Sequence, residues 1–313
     1  MLSFIVRRLL ALLPVLLIVA TFAFMVLRLV PGDPASIIAG ETATTEQVAE
    51  IRQRLGLDKP VARQFIIWIG NVLQGDLGES YYFKVPVLEL VKQRIEPTLA
   101  IGTFALILSI VVAVPLGVMA AFRQGSRLDH TVMGLSVAGF SIPGFVLGYG
   151  LMYVFAIELE WLPVQGYARI SDGIGAFLAR IILPAAALAV AYIALIARIT
   201  RTSVLEVLNE DYIRTARAKG LSDYEVLVHH ALRNAAVPIL TIIGIGIGLL
   251  IGGAVVTESV FAIPGVGRLT VEAVLSRDFP VIQALILIFS VAYVLVNLLV
   301  DIGYAFLDPR IRY

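Results

Sequence analysis

Glu225 and His229 stand four residues apart, with His230 adjacent. On a helix that spacing puts two metal-binding side chains on one face. Zinc sites want three or four nitrogen, sulfur or oxygen ligands, and no third ligand is evident in the sequence. Glu225 also has another use. Ser222-Asp223-Tyr224-Glu225 is a capping box, with Ser222 as N-cap and Glu225 at the third helical position. The capping role takes precedence, and no metal ligand is assigned. No G-x-x-x-x-G-K-[ST] phosphate loop occurs, and no serine, histidine and carboxylate trio forms a recognisable nucleophile site. With no cysteine, thiol nucleophiles, thiolate metal sites and disulfides are excluded. No catalytic or cofactor-binding residue is assigned, and the chain does not read as an enzyme.

A different kind of site precedes the box. Glu210-Asp211-Tyr212-Ile213-Arg214-Thr215-Ala216-Arg217-Ala218-Lys219-Gly220-Leu221 is polar in an otherwise apolar chain. Asn209 is the expected N-cap, and Glu210 and Asp211 suit the positive end of a helix dipole. Arg214, Arg217 and Lys219 lie toward the other end, where cations are favoured. Tyr212, Ala216 and Gly220 share one face, small enough at two positions for close approach by a partner. Gly220 supplies the positive φ that ends the helix. Two capping devices in succession imply fixed geometry. Spacing alone leaves two readings open, partner docking and a solvated loop.

The elements around this elbow are membrane spans. The 313 residues are 59% hydrophobic and 15% charged, against about 25% charged in soluble domains. The net charge of +1 offers no field for nucleic acid. Uncharged runs place six spans at about Leu9–Val30, Thr98–Phe122, Thr131–Ile157, Ile181–Ala197, Val237–Thr257 and Val281–Tyr304. The fourth is the shortest. The first is longer than a signal-peptide core and reads as a retained helix. Lysine and arginine concentrate in the short loops on the side of Arg7, Arg123, Arg198, Arg217, Arg233 and Arg310, which places both termini in the cytoplasm. Ionisable residues such as Arg28, Arg198, Glu258 and Asp301 sit near span ends, not centres, which argues against proton coupling. No pair of broken helices of the secondary-transporter kind is apparent. Tyr192, Gln283 and Asn297 are expected to bond neighbouring helices. Gly244, Gly248 and Gly252, and Gly144 and Gly148, permit close crossings, within the chain or between subunits.

Between the first two spans, residues 31–97 form an extramembrane cap. Thr44-Thr45-Glu46-Gln47 fits a capping box, the helix stops at Gly56, and a second helix follows Pro60. Phe65, Trp68, Ile69 and Val72 make one apolar face of that helix. It is expected to pack on the spans, with docking of an external protein as the alternative.

The segment Glu210–Leu221 resembles the coupling-helix motif of dipeptide/oligopeptide ABC transporter permeases. The likeness runs along the chain through Leu29-Val30-Pro31-Gly32-Asp33-Pro34-Ala35, Gly75-Asp76-Leu77-Gly78, Trp161-Leu162-Pro163, Val260–Arg268 and Asp308–Tyr313. Against the general E-A-A-x-x-x-G importer pattern anchored on Gly220, Arg214, Thr215 and Ala216 fill the first three positions. That departure looks like the peptide-permease variant. The resemblance implies an all-α integral membrane protein of the type I ABC importer fold, with six transmembrane helices and a periplasmic helical insertion. Residues 1–30 would hold the first span, 31–97 the periplasmic cap, and 98–313 the permease core, with a coupling helix at 209–220. It implies a bacterial inner-membrane location. The implied partners are a homologous second permease, two cytoplasmic ATPases that carry the ATP and magnesium, a periplasmic solute-binding protein and the lipid bilayer. The implied ATPase-coupling residues are Glu210, Asp211, Tyr212, Arg214, Thr215, Ala216, Arg217, Ala218, Lys219 and Gly220. Implied cargo is di- or oligopeptides, with glutathione, nickel chelates, and sugars or opines carried by relatives. An autonomous secondary transporter is the reading from another class.

Overall fold

The computed structural model describes residues 2–29, 34–39, 44–54 and 56–307. The motif residues Val30–Asp33 and Asp308–Tyr313 lie outside them. The helices are α1 (Leu2–Leu29), α2 (Pro34–Ala39), α3 (Thr45–Arg54), α4 (Val61–Leu73), α5 (Val87–Phe122), α6 (Arg127–Ser141), α7 (Gly144–Met152), α8 (Ile174–Leu208), α9 (Asp211–Ala218), α10 (Asp223–Glu225), α11 (Arg233–Val260), α12 (Val266–Leu275) and α13 (Phe279–Leu307). A π turn, Tyr153–Glu158, extends α7, and another, Val226–Leu232, joins α10 to α11. Helices satisfy every backbone group within the segment, as hydrocarbon demands.

Among the described residues, five helices are long and apolar enough to cross a membrane, and a sixth span exists if α6 and the extended α7 count as one. The third span, read from the sequence as one run over about Thr131–Ile157, is bent by 100° between α6 and α7. The break falls at Ile142-Pro143. Pro143 lacks an N–H and forces Ile142 into the β region at φ −84°, ψ 124°. The expected fourth span, Ile181–Ala197, proves to be part of a 35-residue helix. Arg180 and Arg198 ended the uncharged run but not the helix, because long cationic side chains are tolerated toward helix ends.

The chain divides into two compact units. The first comprises Met1–Ile5, Glu96–Arg268 and Leu295–Tyr313. Its core centres on α8, where Ile181, Leu188, Ala189, Tyr192 and Ile196 are buried. Glycines let helices approach closely here, since packing in lipid relies on van der Waals contact. At Gly246 a Cβ would fall inside the Tyr192 ring, and the Tyr192 hydroxyl donates to the Ile243 carbonyl. Gly244 lies against Val300 and Gly253 against Leu188, so these close crossings are within the chain, while Gly252 and Gly144 face open space. Glu258 is fully buried near the end of α11. It accepts from Thr98 Oγ1 at 2.6 Å and from the Arg268 N–H at 2.8 Å.

The second unit comprises Val6–Ile95 and Leu269–Val294. The Thr44–Gln47 capping box forms, with the Thr44 N–H 2.9 Å from Gln47 Oε1 and the Gln47 N–H 3.3 Å from Thr44 Oγ1. Gly56 takes φ +64° just past α3, as the sequence indicates. The apolar face of α4 packs on α1. Phe65 and Trp68 stand 5.2 and 5.6 Å from the Phe24 ring. Gln283 donates to the Phe24 carbonyl at 3.5 Å. Asp278 is fully buried and accepts from Ser80 Oγ at 2.5 Å and the N–H groups of Tyr81 and Tyr82. Burial, reinforced by the Asp278 charge, pushes the Tyr81 phenol up to about 12.

Candidate coupling elbow

The elbow begins where α8 stops. Asn209 closes α8 as its C-cap, and its side-chain amide donates to the Leu205 carbonyl at 3.0 Å. The expected N-cap role therefore passes to Glu210, whose extended backbone (φ −71°, ψ 147°) starts α9 without a side-chain cap. Asp211 occupies the first turn and Arg217 the last, in the order the helix dipole favours.

The far end is a Schellman closure. The Gly220 N–H donates to the Arg217 carbonyl at 2.9 Å and the Leu221 N–H reaches the Ala216 carbonyl at 3.4 Å. Gly220 sits at φ +87°, where other residues are strained. The second capping box follows at once: the Ser222 N–H donates to Glu225 Oε2 at 2.8 Å, and the Glu225 N–H to Ser222 Oγ at 3.4 Å. Arg217 and Asp223 stand 3.8 Å apart across this turn. Both are well exposed, so the pair orients the turn more than it stabilises it.

One inference from spacing does not hold. Tyr212, Ala216 and Gly220 do not form one open face. Ile213 is 0% exposed and Ala216 9%. Both turn inward, and α9 packs on the π turn. The physical reason is amphipathicity: Ile213 is the large apolar residue of α9 buried here, and Ala216, three positions on, follows it into the interior. Glu210, Asp211, Tyr212, Arg214, Thr215, Arg217, Ala218, Lys219 and Gly220 are all exposed. Tyr212 keeps 43% of its surface open, and its phenol is raised by partial burial and by the Glu210 charge.

An apolar cluster joins the π turn after the elbow to the long helices. Ala121 of α5, Val204 of α8, Ala231 of the π turn, and Ala235 and Ile239 of α11 are its buried members. The short helix packs on the π turn Val226–Leu232, and Ala231 of that turn belongs to this cluster. Close by in sequence, Arg201 of α8 makes a forked pair with buried Asp129 of α6, at 2.5 Å (Nε–Oδ1) and 2.7 Å (Nη2–Oδ2). Asp129 also accepts from the Gly125 N–H at 2.9 Å. Nothing in the local spacing of the sequence links Arg201 to Asp129, which lies 72 residues earlier. The Ser126-x-x-Asp129 spacing was the available signal, since Ser126 caps α6 by accepting from the Asp129 N–H.

A cavity of about 260 Å³ opens at the break of the third span. Phe140, Phe145, Leu188, Tyr192, Leu249 and Thr257 are among its lining residues. Its wall is mostly hydrocarbon, with the polar atoms of Tyr192 and Thr257 as exceptions. Of the metal pair weighed from sequence, Glu225 is occupied by the Ser222 backbone and hydroxyl.

Comparison with known proteins places this arrangement. Residues 113–313 match the family described as the binding-protein-dependent transport system inner membrane component, and residues 1–102 match the N-terminal family of the same membrane components. A Sinorhizobium fredii protein named a probable peptide ABC transporter permease is 52% identical over 99% of both chains. A Salmonella choleraesuis glutathione transport system permease is 44% identical over 100% of both. A solved methionine ABC transporter in an inward-facing conformation superposes with a TM-score of 0.59 over 71% of this chain and 97% of that one, at 18% identity, which speaks to the fold alone. The chain is therefore an all-α integral inner-membrane protein of the type I ABC importer fold, and it belongs to the family of binding-protein-dependent transport permeases.

Proposed function

We propose that this chain is the membrane-spanning subunit of an ATP-driven importer for di- or oligopeptides, and that α9 with its flanking caps is the handle by which cytoplasmic ATPases drive it. The observation that carries the coupling role is the elbow's construction. An exposed polar helix is locked at its C-terminal end by a Schellman turn and a capping box, and it packs on the π turn Val226–Leu232, which shares an apolar cluster with α5, α8 and α11. A handle so built passes displacement to the long helices instead of absorbing it. Two ATPases hold ATP and Mg²⁺, and each grips the elbow of one permease. A homologous second permease completes the path, and a periplasmic binding protein delivers cargo to the face bearing the residue 31–97 cap. Both termini are cytoplasmic, as the positive-inside distribution requires. ATP must favour one conformation differentially to do work on the path. Peptide cargo is supported by the 52% identical relative, and glutathione, itself a small peptide, by the 44% identical one.

Ala216 is buried, so a test of docking belongs at exposed positions of α9 and its C-cap. Ala218→Trp and Lys219→Glu alter the open face without entering the interior. Each is expected to cut ATPase affinity about tenfold, about 1.4 kcal/mol, with uptake falling while the chain still inserts. Wild-type uptake and full ATPase co-purification in both variants would remove the coupling role. Transport at full rate by this chain alone in proteoliposomes would instead favour an autonomous transporter.

A further inference from the structure

Helix α4 carries more apolar surface than its contact with α1 uses. Phe65 and Trp68 meet Phe24 of α1, and they, Ile69 and Val72 are half-buried. Ile66 and Leu73 lie seven residues apart on an adjacent flank, at 67% and 81% exposure. The opposite flank carries Arg63 and Asn71, both exposed, and Gln64, which is tied to the carbonyls of Leu57 and Lys59. Ile67 is the one large apolar side chain on that polar flank. The open surface of α4 is therefore divided lengthwise into an apolar side and a polar side.

The level at which α4 meets α1 identifies what lies against the apolar side. α1 spans the membrane, and Phe22, one turn or less from Phe24, is itself exposed. At about 1.5 Å per residue, Phe24 lies about 7–8 Å short of Leu29 along the helix axis. Interfacial helices bury their apolar side about 5–10 Å into the headgroup and acyl boundary. Arg28 stands over the Phe24 ring at 3.7 Å and bonds to Gln64 of α4, so its cationic end marks the same level. The exposed apolar side of α4 thus lies at the level where the apolar run of α1 ends.

We propose that α4 is a membrane-interfacial helix within the cap: Ile66 and Leu73 contact lipid acyl chains, and Arg63 and Asn71 lie at headgroup level. The occupant of the apolar flank is the bilayer itself, in the leaflet around the Phe24–Leu29 end of α1. Trp68 between the two flanks fits the aromatic belt found at that depth.

The absence of native cysteine makes the test direct. Single Ile66→Cys, Leu73→Cys, Arg63→Cys and Asn71→Cys variants of the full chain, with Ile18→Cys on α1 as a lipid-facing reference, are labelled with bimane. They are reconstituted in phosphatidylcholine/phosphatidylglycerol vesicles with and without brominated phosphatidylcholine. Labels at positions 66 and 73 are expected to lose about half or more of their emission to brominated lipid, like position 18, and labels at 63 and 71 to respond mainly to aqueous iodide. Iodide quenching at 66 and 73 without bromine quenching would overturn the proposal in favour of a water-facing helix. Protection of both positions from both quenchers would overturn it in favour of a protein-covered face. Two positions on each flank keep the comparison decisive if one variant fails to insert.

Discussion

Asp129 is a carboxylate with almost no access to solvent, and it accepts two bonds from Arg201 and one from the Gly125 backbone. Its desolvation is offset only while all three stay in place. Removing one partner of a buried pair leaves an uncompensated charge. Arg201→Ala is therefore expected to destabilise the protein by about 3–5 kcal/mol, read as a lowered thermal midpoint in detergent. Arg201→Lys should recover only part of this, because an ammonium cannot reproduce the fork. Equal midpoints for wild type and Arg201→Ala would show the pair to be energetically idle. Gly265 and Gly267 follow similar steric logic at another carboxylate. A Cβ on Gly265 would collide with the Glu258 carboxyl, and one on Gly267 would press on it and on the Val255 backbone. The two glycines of the Pro264-Gly265-Val266-Gly267 turn are thus set by what lies beside them.

The elbow makes its own prediction as an element. Gly220→Val places a β-branched residue at φ +87° and should cost about 1–2 kcal/mol. Ser222→Ala removes a cap worth about 1 kcal/mol. Both should speed amide hydrogen exchange at Gly220–Val226, and an unchanged exchange rate there would mean the turn is held by something else. These caps were legible in the sequence because they are local: Ser222 and Glu225, or Thr44 and Gln47, need only each other. Asn209 misled because the same side chain can close one helix or open the next, and α8 has the first claim on it. The Pro143 break was written in the chain, but an apolar run on both sides disguised it. The inward turn of Ala216 depends on packing between α9 and the π turn at Val226–Leu232, which no spacing rule encodes.

For the whole molecule, the positive-inside distribution gives a test of topology. Single cysteines at Gln53 and Lys219 should react with an impermeant maleimide from opposite sides of the membrane. Reaction from one side would end the six-span arrangement. Span number and family were readable from end to end, since hydropathy and ordered motifs survive without tertiary information. The two-unit division was not, because Leu269–Val294 joins Val6–Ile95 through long-range ties such as Asp278 to Ser80 and Arg94 to Glu272 at 2.7 Å. The seating of Tyr192 over Gly246 carries one last consequence. A ring wedged in a notch, with its hydroxyl pinned one turn away at Ile243, works like a key in a keyway. Axial slippage between α8 and α11 is blocked, so torque entering at either shaft turns the two as one.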